Sequence, residues 1–288
     1  MENSIYTGFD RQYDPLNNFL FYKTFGEKGN EVQLLGFINA VLGKSTDDKF
    51  VSVEILENKS FMAEIMGGKS CTLDVRAKMQ TGTMVNIEVQ LRDRMHHMDK
   101  RSLFYMSKVY TEKLKSGQDY IELPDVIGIN IVNYDFPDTQ NFHSCFHLRE
   151  DTEKDIILTN ALEIHFINMV KYRKQVKENL NNQGLNDPLF RWLIWFEKTS
   201  PPELIDEVVK MDTAIQTADE RLEHVTQDEE AKHAYLRHMI AECDRTSDIN
   251  YARKEEREMW QTIVTDKDAE IEKNKIEIAR LKAELEKR

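Results

Sequence analysis

Asp74, Glu88 and Gln90 are the residues whose types and spacing can do chemistry. Glu88 and Gln90 lie in Val85-Asn86-Ile87-Glu88-Val89-Gln90-Leu91, where apolar and polar residues alternate, so both project from one face of a strand. Cys71, Leu73, Val75, Ala77 and Met79 alternate in the same way with Thr72, Asp74, Arg76 and Lys78. Thr81-Gly82-Thr83 supplies a turn between the two segments, and a hairpin centred on Thr81 puts Asp74 opposite Glu88. Two carboxylates brought together this way repel unless one is protonated or a cation bridges them. Hard oxygen ligands of this kind suit Mg²⁺ or Mn²⁺. Such an ion lowers the pKa of a bound water and offsets charge developing on a phosphate oxygen, which is what phosphodiester hydrolysis requires. The Gln90 amide can orient a water but cannot act as an effective base. Alternation by itself more often describes the solvated face of a half-exposed hairpin. What separates the two readings is burial, because a carboxylate buried on that face needs a partner.

The flanking elements must decide this. Asp14-Pro15 reads as a cap followed by proline at the first helical position, opening a helix through Asn17 to Phe25 with Gly26 as its stop. Leu34, Leu35, Ile38, Val41 and Leu42 recur at helical spacing before Gly43, which predicts a second helix over 30–42. A strand is expected over 51–56, then the two strands of the hairpin, then a helix over 98–115 and a buried strand over 126–132. Residues 145–148 and 162–172 are expected to add strands to a mixed sheet. Asp187-Pro188 opens an aromatic-rich helix carrying Trp192, Trp195 and Phe196, a stripe that reads as core.

The order helix, three strands, helix, strand, with Asp74 on the second strand and Glu88-Val89-Gln90 on the third, resembles the PD-(D/E)XK nuclease superfamily. The closer resemblance is to its Rpn family of recombination-promoting nucleases, also described as putative transposases. It rests on Asp14-Pro15, Phe21-Tyr22-Lys23-Thr24-Phe25-Gly26, Leu73-Asp74-Val75-Arg76-Ala77, Asn86-Ile87-Glu88-Val89-Gln90 and Lys100-Arg101-Ser102-Leu103-Phe104-Tyr105. Leu189-Phe190-Arg191-Trp192-Leu193 extends it over most of the chain. The resemblance implies an α/β, restriction-endonuclease-like core that cuts DNA with Mg²⁺ or Mn²⁺, with Asp74 and Glu88 as metal ligands. Gln90 takes the place of the superfamily's usual lysine, so this chain lacks that positive charge at the position. Glu31, at the start of the second helix, is a candidate further metal ligand, because first-helix acids assist in many superfamily members. Arg76 and Lys78 share the face of Asp74 and are candidate DNA contacts, as are Arg101 and Tyr105, four apart on the following helix, and Lys23.

The chain has 288 residues and a net charge of −12, a balance that superficially opposes nucleic acid binding. The acidity is concentrated late: residues 201–288 hold 15 basic and 23 acidic side chains. Over 92–115 the balance reverses, seven basic residues facing three acidic ones directly after the candidate site. There is no long apolar run to span a bilayer, no leader-like N-terminus, and only Cys71, Cys145 and Cys243, which form neither a disulfide framework nor a CxxC zinc pattern. A cytoplasmic protein without a membrane partner is the expectation. Three regions follow: a nuclease-like domain over 1–184, a helical region over 185–262 and a tail over 263–288. In the tail Val264, Ile271, Ile278 and Leu285 are seven apart, a short coiled-coil-like heptad pattern broken by Lys267 and Asn274, which offers a route to a homo-oligomer. Two functional classes therefore stand: a metal-dependent DNA endonuclease linked to recombination or mobile elements, and a catalytically inactive DNA-binding or assembly protein on the same fold. A strand-joining transposase is the third.

Overall fold

The computed structural model describes residues 12–44, 47–56, 75–92, 97–112, 119–179 and 184–286. The described residues fall into two compact units, residues 1–232 and 233–288. The first is built on a six-stranded mixed sheet made of β1 (Val53–Leu56), β2 (Val75–Met79), β3 (Met84–Gln90), β4 (Val126–Val132), β5 (His143–Arg149) and β6 (Ile157–Asn168), in the spatial order β1-β2-β3-β4-β6-β5. β3, β4 and β6 run parallel, whereas β1, β2 and β5 are antiparallel to their neighbours. The β2–β3 turn is tight because Gly82 adopts a φ of 90°, which a side chain would resist. Its register pairs Ala77 with Val85 and Val75 with Ile87, as a hairpin centred on Thr81 requires.

The parallel step from β3 to β4 needs a crossover, supplied by the helix Met98–Thr111, here α3. Ahead of the sheet come α1 (Asn18–Phe21), continued by a π-helical turn over Tyr22–Gly26, and α2 (Glu31–Val41). The expected start of α1 is corrected. Asn17, not Asp14, caps it, its Oδ1 accepting from the Phe19 and Leu20 amides, while Asp14 accepts from the Leu16 amide in a preceding turn. A proline one residue after Asp14 matches either arrangement, which is why the sequence pattern misplaced the cap by one turn. The strand expected over 162–172 is also corrected. β6 begins at Ile157 and ends at Asn168, and residues from Met169 on form α4 (Met169–Asn179).

The helices α5 (Pro188–Phe196), α6 (Pro202–Met211) and α7 (Thr213–Gln227) belong to the first unit, and α5 and α7 pack on α2. Asp187 caps α5 through its side chain with Pro188 behind it. The α5 aromatics close the core: Phe25, Phe37, Trp192, Trp195 and Phe196 are fully buried, with Phe25 and Trp192 centroids 5.7 Å apart and Phe37 edge-on to Phe196 at 5.2 Å. Pairs of this kind add about 1 kcal/mol each beyond burial. The Trp195 indole N–H donates to Asp219 on α7 at 2.8 Å, so its one polar atom is satisfied. A final helix, α8, spans Glu229–Leu285. No helix among the described residues is long and apolar enough to cross a membrane.

Candidate active site

Strand pairing fixes which side chains share a face. Asn86, Glu88 and Gln90 on β3 lie on the face that carries Arg76 and Lys78 on β2 and Gly128, Asn130 and Val132 on β4. α3 covers this face. It approaches closely over Gly128, where a Cβ would stand 2.8 Å from the Met106 sulfur. One turn earlier on α3, Ser102 Oγ lies 3.1 Å from Asn130 Oδ1, and the Asn130 amide donates to the His165 carbonyl at 3.1 Å. Over β3 and β4 this face is covered, so Asn86 and Glu88 are buried, not solvated, and Gln90 is half-buried.

Glu88 is the outcome of that burial. It is 1 % exposed, and the Arg101 guanidinium from α3 forms an ion pair with it. Beyond Arg101, neither Glu88 oxygen has a hydrogen-bond partner among the described residues. Burial pushes the Glu88 carboxyl up to about 7, and the Arg101 charge opposes the rise without cancelling it. A buried acid raised toward neutrality, with Arg101 as its cationic partner among the described residues, is a group that a further positive charge would hold ionised.

The other expected site residues distribute as follows. Gln90, half-buried, follows Glu88 on the same face, and its Nε2 donates to the Arg92 carbonyl at 2.7 Å. Arg101 faces inward to Glu88 while stacking at 5.4 Å over the Tyr105 ring, so these two α3 residues lie beside the acid. Arg76 is buried and paired with Glu112 at the end of α3, which turns its guanidinium away from solvent. Lys78 is half-buried opposite Glu54 of β1. Lys23 pairs with Glu27, four residues on. Glu31 opens α2 and accepts from the Gly29 amide at 3.2 Å. Asp74 lies outside the described residues; the described β2–β3 pairs end at Val75 opposite Ile87.

Asn130 and Ser102 are the site residues that sequence reasoning missed. Asn130 had a signal: it is the lone polar residue within the apolar run Val126-Ile127-Gly128-Ile129-Asn130-Ile131-Val132, and β3–β4 pairing sets it directly opposite Glu88. Ser102 had none, since a serine on a helix is ordinary until the helix face is known.

Comparison with known proteins agrees with this architecture. A family model described as PD-(D/E)XK nuclease family transposase matches residues 15–252. No curated protein and no solved structure matches the chain.

Proposed function

The chain belongs to the PD-(D/E)XK nuclease family transposases, and from that premise we propose that it is a DNA endonuclease dependent on Mg²⁺ or Mn²⁺, linked to recombination or mobile elements, in which Asp74 and Glu88 hold the ion. The observation that carries the reading is Glu88: a carboxylate 1 % exposed whose oxygens, apart from the Arg101 pair, accept no hydrogen bond among the described residues. That orphaned, hard-oxygen donor fits a small divalent cation. When bound, the ion supplies charge for a phosphate oxygen and a more acidic water.

The chain's own residues do the rest. Gln90 orients the attacking water through its amide, and Arg101, in contact with Glu88, brings to the site the positive charge that glutamine lacks at position 90. Water adds to the phosphorus and the P–O bond to the leaving strand breaks, with no covalent link to the protein. Lys78 and Tyr105 contact the DNA backbone. Copies of the chain associate through the heptad face of α8, where Val264, Ile271, Ile278 and Leu285 are all exposed. The protein acts in the cytoplasm.

Purified protein incubated with supercoiled plasmid and Mg²⁺ or Mn²⁺ tests the reading. Nicking that disappears with chelator, and in Asp74→Ala and Glu88→Ala, is expected, with Arg101→Met slower than Gln90→Ala. Equal nicking by Asp74→Ala and the parent protein refutes it. A second reading, an inactive DNA-binding protein on the same fold, is favoured by one observation: the Gln90 amide already donates to the Arg92 carbonyl, which takes it from a water. DNA retention without nicking in either metal establishes that alternative, and joined strands establish a transposase.

A further inference from the structure

On the sheet face opposite Glu88, the β5–β6 hairpin gathers a second set of metal-ligating side chains. Cys145 and His147, two apart on the edge strand β5, point to one face, and the register sets Cys145 opposite His165 and His147 opposite Glu163 of β6. The Cys145 sulfur lies 3.5 Å from His147 Nε2 and 3.5 Å from Glu163 Oε1. The ligand atoms of Cys145, His147 and Glu163 all fall within 4.8 Å of one another.

We propose that Cys145, His147 and Glu163 form a zinc site, distinct from the nuclease centre and independent of it. Zinc bonds of about 2.3 Å to sulfur and about 2.1 Å to nitrogen or oxygen require tetrahedral sulfur-to-nitrogen and sulfur-to-oxygen edges of about 3.6 Å. Both edges at Cys145 are already within about 0.1 Å of that length. The third edge, between His147 and Glu163, joins ligand atoms that lie within 4.8 Å of each other on two half-buried side chains, which rotation can bring to that length. The mixture of thiolate, imidazole and carboxylate selects zinc over Mg²⁺, which takes oxygen ligands in octahedral geometry.

His165 completes the arrangement as a positioning residue. Its Nε2 lies 2.8 Å from Glu163 Oε1, and its Nδ1 lies 2.9 Å from His143 Nε2, so a buried imidazole backed by a half-buried one orients the carboxylate. Binding releases the Cys145 thiol proton to solvent, and three protein ligands leave the fourth position to water. Cys145 is exposed, so the ion has an entry path. The register of β5 shifts immediately after His147, so the ion pins an edge strand where its pairing becomes irregular.

Full-length protein, stripped with chelator and dialysed, is titrated with Co²⁺ and then with Zn²⁺. One equivalent of Co²⁺ is expected to give a thiolate-to-cobalt charge-transfer band that Zn²⁺ erases and Cys145→Ser lacks. The band should persist in Cys71→Ser, Cys243→Ser and Glu88→Ala. In competition with a coloured chelator, His147→Ala and Glu163→Gln should weaken zinc binding at least tenfold. Zinc should also raise the unfolding temperature of the parent protein and not that of Cys145→Ser, whose circular dichroism should match the parent. Absence of the band at one equivalent, or its survival in Cys145→Ser, overturns the proposal.

Discussion

Replacing Glu88 by glutamine removes a titratable group from the interior while preserving its shape. In the folded chain burial pushes the Glu88 carboxyl up from 4.5 to about 7, against the lowering effect of the Arg101 charge. The folded state therefore binds this proton more tightly than the unfolded state, and stability must fall as pH rises from about 4.5 to about 7. At pH 5 the acid is neutral in the fold and resembles glutamine, so the variant should change little. Above pH 8 the ionised acid costs the parent protein about 3 to 4 kcal/mol, taking about 1.4 kcal/mol for each unit between the two values. Glu88→Gln should be more stable by about that amount in the presence of chelator. Urea unfolding followed by tryptophan fluorescence at pH 5 and pH 8.5 measures it, because Trp192 and Trp195 are both fully buried. Adding Mg²⁺ at pH 8.5 should then stabilise the parent alone, since glutamine offers the ion no charge. A variant less stable than the parent at pH 8.5, or a difference that does not vary with pH, would refute the reasoning that burial dominates over the Arg101 pair.

Two further outcomes test the packing and the tail. Gly36 sits on α2 where a Cβ would stand 2.3 Å from the Ala214 Cβ of α7, so Gly36→Ala should destabilise despite alanine's better helix propensity. The cost should be roughly 1 to 3 kcal/mol, read from the urea midpoint, and a stabilised variant would show that the two helices are not held at this spacing. Ile271→Asp with Ile278→Asp places charge in the heptad face of α8, so sedimentation should show a smaller assembly than the parent at equal concentration. Identical masses would remove the tail from the interface.

Much of the site's layout is local and was legible in the sequence. Alternation fixed which residues of β2 and β3 share a face, and the turn at Thr81-Gly82-Thr83 fixed their register, since a strand repeats every two residues and Gly82 tolerates the positive φ. The Asp187 cap and the helical spacing of Trp192, Trp195 and Phe196 likewise set α5 and its buried stripe, the spacing alone naming the inward face. The start of α1 was misread because Asp14-Pro15 and Asn17 are both competent caps, and only the backbone's path chooses between them.

The tertiary structure decided what those faces meet. Period two says that Glu88 and Gln90 point the same way, but only the packing of α3 across the sheet makes Glu88 interior and delivers Arg101 to it. The same packing draws Arg76 to Glu112, although the sequence made it a DNA contact equal to its neighbours. Strand order did the rest. The parallel step to β4 set Asn130 beside Glu88, and the β5–β6 pairing joined Cys145 and His147 to Glu163 across a gap that no spacing rule spans. Short-range patterning encodes orientation because the backbone repeat is local. Burial and charge pairing are properties of elements distant in the chain, and they exist only once the sheet is assembled and covered.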